Sequence, residues 1–178
     1  MTNTTMTVEE LVKHCEIRLA GTDKLEIRNV ARGKKMLDEI KARKTEISDY
    51  LAAEEAAAHV AAENRKAKIA AIEGLAELQA ARDAEANYHH EVNRRFDDEA
   101  LSSFMPARPK VSSKDVAAKY PRAGAYAKAE SWTYASNYAK NAAGRKALER
   151  IINGEDYEQV LAEMDAEWSA HCDQHAWD

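Results

Sequence analysis

The sequence predicts an all-α protein, and three features support that fold class. Residues 22–105 contain no proline and only two glycines, Gly33 and Gly74, and alanine is abundant in the middle of this segment. Alanine favours a helix because it loses no side-chain entropy on entering one. Apolar residues elsewhere recur at helical spacing, separated by short segments of helix breakers. We expect an N-terminal helix, a long Ala-rich helical hairpin that resembles a coiled coil, and a smaller C-terminal helical subdomain.

The first helix is predicted to begin after Thr7. Glu10 stands three residues further on, which is the spacing of a capping box. The residues that then form one apolar face are Val8, Leu11, Val12, Cys15 and Leu19. Gly21 predicts the end of this helix. Asp23 with Glu26 repeats the capping signal and predicts the start of the long element.

The long element contains a break in its apolar pattern. Large apolar residues follow a heptad-like spacing as far as Leu51 and again from Ile72, but small and charged residues occupy the positions between them. A continuous two-stranded coiled coil disfavours charges on its seam. We therefore expect a hairpin whose tip lies between Ala52 and Lys68. A single uninterrupted rod is the alternative, because the predicted tip contains neither glycine nor proline.

Residues 106–113 form the predicted linker, since they contain two prolines and two serines. This linker separates residues 1–105, which hold the N-terminal helix and the hairpin, from a C-terminal helical subdomain at residues 114–178.

The C-terminal subdomain is predicted to contain helices with recognisable ends. Ser112 or Ser113 caps a short helix that stops before Pro121. The next helix covers about residues 122–143, with a kink or break at Gly144. The dipeptide Asn153-Gly154 predicts a firm stop, and the last helix begins near Asp156.

Charge is strongly segregated along the chain, although the net charge is only −5. Residues 101–150 carry a balance of +7, and residues 151–178 carry −8 without a single Lys or Arg. The simplest interpretation is that these two blocks neutralise each other across a helix–helix contact. The alternative is that one of them faces a charged partner.

The basic block is also rich in aromatic residues, a mixture that binds single-stranded nucleic acid through phosphate contacts and base stacking. The candidate nucleic-acid-binding residues are Lys119, Arg122, Lys128, Trp132, Lys140, Arg145 and Lys146. The competing interpretation, which we favour, is that Trp132, Tyr134 and Tyr138 form the core of the C-terminal subdomain. Large apolar residues are scarce in this chain and are needed there.

A stripe of large apolar residues at four-residue spacing marks the return arm of the predicted hairpin. Its members, Tyr88, Val92 and Phe96, are candidate partner-binding residues. Such a stripe leaves apolar surface to cover, so we also expect a homo-oligomer.

The sequence contains no established catalytic or phosphate-binding motif, so we expect a protein that is not an enzyme and needs no cofactor. His171, Cys172 and His175 suggest a metal site, but no zinc-binding spacing accompanies them and we expect no metal. The two cysteines, the absence of a signal-peptide pattern and the lack of a long apolar run favour a cytoplasmic protein that does not enter the membrane.

The expected function is therefore binding. Small helical proteins without motifs are often accessory factors or inhibitors that bind another macromolecule, including those encoded by phages and mobile elements. Another protein is the expected partner. A nucleic-acid-binding protein that uses residues 110–150 is the alternative.

Overall fold

The computed structural model describes residues 6–21, 24–96 and 105–175. Helices account for 76% of these residues, which confirms the all-α fold class. The first helices and strands in the described part are α1 (Val8–Cys15), β1 (Ile17–Leu19), β2 (Leu25–Ile27), α2 (Val30–Lys35) and α3 (Leu37–Ala42). They are followed by α4 (Lys44–Ala70), α5 (Leu75–Phe96), α6 (Ser113–Lys119), α7 (Pro121–Thr133), α8 (Tyr138–Ile152) and α9 (Tyr157–Gln174). None of the helices in these ranges is long and apolar enough to cross a membrane.

The chain divides into two compact units, Met1–Asn64 and Arg65–Asp178, which we call unit 1 and unit 2. The division falls inside α4. The predicted organisation, with boundaries at residues 105 and 114, stays a prediction. Each unit is described by itself.

Unit 1 begins with the predicted capping box. The Thr7 hydroxyl accepts from the backbone N–H of Glu10, and the Glu10 carboxylate accepts from the backbone N–H of Thr7. The helix ends earlier than predicted, at Cys15, because Glu16 adopts a left-handed backbone with φ of 53°.

A short β-hairpin stands where the sequence predicted helix. β1 pairs with β2 in antiparallel register, with Ile17 opposite Ile27 and Leu19 opposite Leu25. The prediction that Glu26 helps to cap a long helix is wrong, and Asp23 lies outside the described residues. The physical reason is that Leu25 and Ile27 alternate with Glu26 at strand period, and both pack on the core of unit 1. That core consists of Leu11, Val12, Cys15, Ile17, Ile40 and Ile47.

The long helix α4 runs unbroken through the predicted tip, so the placement of the tip between Ala52 and Lys68 is wrong. The single rod is also wrong, because the helix is interrupted at residues 71–74 before α5 begins. Gly74 makes this connection, with φ of 76°, and an added Cβ would overlap the ring of Tyr120. Residues 52–68 are all exposed. Their lack of large apolar side chains therefore reflects solvent contact along a continuous helix.

Several helix ends in unit 2 agree with the sequence. The Ser112 hydroxyl accepts from the backbone N–H of Asp115 and caps α6, and Pro121 occupies the first turn of α7. Helix α8 ends at Ile152, before Asn153-Gly154, as predicted. Asp156 caps α9 by accepting from two backbone N–H groups.

The interruption between α7 and α8 lies elsewhere than predicted. Helix α7 stops at Thr133, and Asn137 caps α8, which then continues through Gly144. The predicted break at Gly144 is wrong. The helix continues through this glycine, which allows close packing between α7 and α8. A Cβ at Gly144 would lie 2.6 Å from Cβ of Trp132 and 3.0 Å from the carbonyl oxygen of Ala129, so the absence of a side chain lets α7 and α8 approach closely.

The core of unit 2 combines small and large apolar residues. Alanines on α7 and α8 fill the narrow space between these helices, and Leu78, Val116, Ile151, Val160 and Met164 supply the larger buried side chains. The buried alanines are Ala123, Ala125, Ala127, Ala129, Ala143 and Ala147. This core fixes the ends of α7 and α8, from which the aromatic residues described next project.

Candidate interaction surface

Two tyrosines are exposed at the connection between α7 and α8. Tyr134 directly follows α7 and Tyr138 is the first residue of α8. Their exposed fractions are 81% and 87%. The interpretation that both belong to the core is wrong, because the core space between the helices is filled by alanines instead. Trp132, the third residue of that prediction, is half-buried and packs against the core.

Trp132 meets a second tryptophan, Trp168 of α9. Their ring centroids lie 6.3 Å apart and the ring planes meet at 72°, so the two indoles form a corner. The ammonium of Lys140 lies 4.8 Å from the Trp132 centroid and 5.4 Å from that of Trp168. These distances are within the range of cation–π attraction. We call Trp132, Tyr134, Tyr138, Lys140 and Trp168 the aromatic surface.

The acidic and basic blocks contact each other through ion pairs, which agrees with part of the predicted neutralisation. Lys128 of α7 lies 2.7 Å from Asp165 of α9, and Lys146 of α8 pairs with Glu167. Arg150 contacts Glu155 at 2.7 Å and also pairs with Glu163. Its hydrogen bond holds the pKa of the Glu163 carboxyl below the ordinary value. Three cations of residues 101–150 thus contact four carboxylates of residues 151–178, three of them on α9.

The remaining candidate nucleic-acid-binding residues are spread over unit 2. Lys119 lies 3.5 Å from Glu77 and 4.6 Å from the centroid of Tyr120. Arg122 donates to the carbonyl oxygen of Ile151 at 2.6 Å, and Arg145 is exposed on α8. Of the seven predicted residues, the structure brings Trp132 and Lys140 into direct contact.

The predicted partner-binding stripe on α5 is partly covered. Tyr88 and Val92 are half-buried, and Arg108 Nε donates to the Tyr88 hydroxyl at 3.4 Å. The Phe96 side chain lies outside the described residues. Tyr88 therefore has a hydrogen-bond partner within unit 2 and is less exposed than Tyr134 and Tyr138.

His171 of α9 and His175, which directly follows this helix, extend the row of rings. His171 lies 5.5 Å from Trp168, and His175 lies 4.5 Å from His171, measured between ring centroids. Across the described ranges, no group of three or more His, Cys, Asp or Glu residues is placed to hold a metal ion.

Unit 1 contains a surface groove of about 640 Å³ between β1 and α4. Arg18, Glu54 and Glu55 supply its charges, and Leu19, Leu51 and Ala58 supply its apolar wall. Arg18, Glu54 and Glu55 are all exposed, so the described lining of the groove holds no buried polar side chain that would mark a ligand site. We therefore place the candidate site at the aromatic surface of unit 2.

The sequence indicated only part of this surface. Trp132 and Lys140 stand in the aromatic and basic block, but Trp168 lies 36 residues after Trp132, outside that block. The contact depends on how α8 and α9 pack. Helical periodicity gives the face of each helix but not the register between two helices.

Comparison with known proteins identifies no relative of this chain. No protein-family model, no curated protein and no solved structure matches it.

Proposed function

We propose that this protein is a non-enzymatic interaction module that binds another protein through the aromatic surface and acts as an accessory factor or inhibitor of that partner. The observation that carries the proposal is the exposure of Tyr134 and Tyr138, at 81% and 87%, on the two sides of one helix connection.

Two exposed tyrosines beside two partly buried tryptophans are typical of a binding surface. Tyr and Trp are enriched among the residues that dominate protein–protein binding energy, because each buries a large rigid area for little entropy loss. Core residues fix the backbone on both sides of the connection, since Ala129 and Ala143 are buried. A surface whose backbone is already fixed loses little conformational entropy when it binds.

The charge arrangement supports a protein partner over a nucleic acid. Lys128, Lys146 and Arg150 are paired with carboxylates of their own chain. A phosphate backbone would have to displace those carboxylates and would meet the remaining acidic residues of α9. Binding through tyrosine and tryptophan rings needs no such exchange.

The double variant Tyr134→Ser/Tyr138→Ser tests the proposal. Wild-type and variant proteins are used as bait in the native host, and each captured protein is then purified and titrated against both. We expect a stoichiometric partner whose affinity falls at least about 30-fold in the variant, since truncating a binding hot spot costs about 2 kcal/mol or more.

A matched control removes two exposed apolar side chains from unit 1, in the double variant Val30→Ser/Val60→Ser. Both valines are 58% exposed. Equal loss of affinity in the two double variants would overturn the proposal. So would a salt-sensitive affinity for single-stranded DNA that the tyrosine variant abolishes, because that result would support the nucleic-acid alternative.

A further inference from the structure

Lys140 differs from the other paired cations of the basic block in what its ammonium contacts. Lys128, Lys146 and Arg150 each contact a carboxylate. In the described part of the chain, the Lys140 ammonium instead lies over two indole rings, at 4.8 and 5.4 Å from their centroids. The corner between Trp132 and Trp168 is therefore a place where a cation is held by aromatic faces alone.

Both tryptophans of this corner belong to packed helices, Trp132 to α7 and Trp168 to α9. The backbone of Gly144 packs directly against Trp132, at a distance where an added Cβ would lie 2.6 Å from Cβ of Trp132. Trp168 lies one helical turn after Met164, which is almost fully buried, and its ring centroid lies 5.5 Å from that of His171. Both indoles therefore project from packed helices, and their planes meet at 72°.

We propose that the Trp132–Trp168 corner is a binding site for a quaternary ammonium group, and that Lys140 occupies this site when no ligand is bound. Two ring faces that meet at a steep angle contact a round cation on two sides. A planar guanidinium fits such a corner less well, because it stacks flat on a single ring. A lysine ammonium is strongly hydrated, whereas a quaternary ammonium has no N–H groups and gives up less hydration on entering.

Lys140 is suited to leave the corner when a ligand arrives. Its side chain is long and flexible and starts from the first turn of α8, where Asn137 accepts a hydrogen bond from the Lys140 backbone N–H. This backbone contact keeps α8 capped whether the ammonium is inside the corner or in solvent. Displacement therefore costs the two cation–π contacts and no structural hydrogen bond.

Choline is the probe for this site, and the neutral analogue in which carbon replaces nitrogen is its control. Trp132, Trp168 and Trp177 are the three tryptophans of the chain, so the indole N–H region of an NMR spectrum contains three signals. At constant ionic strength we expect choline to shift the signals of Trp132 and Trp168, and the neutral analogue to leave them in place.

The variant Lys140→Met removes the internal competitor while keeping a long apolar side chain. We expect it to bind choline about tenfold more tightly than the wild type. In the wild type, Lys140 occupies the site in most molecules, so the apparent affinity for choline is the intrinsic affinity multiplied by the fraction of molecules whose site is open. Lys146→Met is the matched control on the same helix, since Lys146 pairs with Glu167, and it should keep the wild-type affinity.

A third part of the experiment distinguishes two sources of the quaternary ammonium group, a free small molecule and a modified side chain of a partner protein. A short peptide with one trimethyllysine is compared with the same peptide carrying unmodified lysine. Binding of choline alone supports a small-molecule ligand, and binding of the trimethyllysine peptide supports a modified partner. The proposal is overturned if neither shifts the two indole signals, if the neutral analogue binds as well as choline, or if Lys140→Met binds no better than wild type. The titration needs no partner protein, so its failure leaves the proposed function standing.

Discussion

Alanine plays opposite roles in two regions of this molecule. In α4, every residue from 52 to 68 is exposed, including a run of alanines, so alanine contributes there through its helix propensity. In α7 and α8 of unit 2, six alanines are buried, and their small side chains let the two helices approach closely. The same composition therefore supports an exposed helix in one place and a dense core in another.

The contrast teaches that alanine content predicts helix but not burial. The two regions differ in the residues that surround the alanines. In unit 2 the buried alanines lie beside Ile151, Val160 and Met164, whereas residues 52–68 contain one large apolar side chain, Val60, which is 58% exposed. Three predictions test this difference, starting with the largest expected effect, and a fourth concerns the pH dependence of stability in unit 2.

Enlarging a buried alanine should destabilise unit 2 strongly. Ala129 has no exposed surface, so Ala129→Leu must displace its neighbours and should lower the free energy of unfolding by about 3 kcal/mol, at the upper end of the usual cost of overpacking. Tryptophan fluorescence during urea unfolding measures this, since all three tryptophans lie in unit 2.

The matched substitution on α4 is Ala58→Leu. It should change the free energy of unfolding of unit 1 by less than about 0.5 kcal/mol, because residue 58 is exposed. Far-ultraviolet circular dichroism during urea unfolding measures this change, since unit 1 contains no tryptophan. Similar losses for both variants would show that the contrast between buried and exposed alanines is wrong.

Gly144→Ala should destabilise unit 2 even though alanine is the better helix former. The new Cβ would lie 2.9 Å from the carbonyl carbon of Trp132 and 3.0 Å from the carbonyl oxygen of Ala129, and backbone atoms cannot easily move away. We expect a loss of about 2 kcal/mol in urea unfolding, within the usual range for overpacking. A gain in stability would mean that Gly144 only lowers the helix propensity of α8 and is not required for packing against α7.

Ala58→Gly should loosen α4 locally. Glycine costs about 1 kcal/mol relative to alanine in an exposed helix. Amide hydrogen exchange around residue 58 should therefore quicken about fivefold, since exchange from local opening follows the local free energy. Exchange in α7 and α8 should not change. Unchanged rates around residue 58 would indicate that this stretch is stabilised by more than helix propensity.

The smallest expected effect is on the pH dependence of the stability of the folded protein. The hydrogen bond from Arg150 lowers the pKa of Glu163 in the folded protein relative to the unfolded chain. A lowered pKa contributes stability above the unfolded value, near 4.3, and that contribution disappears as pH falls through the folded value. Glu163→Gln should therefore show a flatter loss of stability between about pH 5 and pH 3 than wild type. Asp173→Asn, an exposed change on the same helix, should keep the wild-type slope, and equal slopes for Glu163→Gln would contradict the prediction.

Local chemistry made some elements predictable from the sequence and hid others. The caps at Thr7 and Ser112 and the start of the last helix near Asp156 depend on residues within one turn, and all three agree with the structure. The β-hairpin was missed because its strands contain three residues each, too few to distinguish the alternation of Leu25, Glu26 and Ile27 from one turn of a helix. Gly144 was misinterpreted because the sequence does not reveal that Trp132 packs on it.

The aromatic surface was only half predictable for a related reason. Residue type identified Trp132 and Lys140, but the exposure of Tyr134 and Tyr138 follows from where α7 ends, and the sequence predicted that helix to continue to about residue 143. The contact with Trp168 depends on helix register, which one sequence does not specify.

The two thiols of this protein have very different surroundings, and this difference has a practical consequence. Cys15 is fully buried in unit 1, where desolvation raises its pKa, whereas Cys172 is exposed on α9, four residues after Trp168. A thiol reagent should therefore label the native chain selectively at Cys172. A fluorophore or spin label attached there would report directly on events at the neighbouring indoles, without any engineered cysteine.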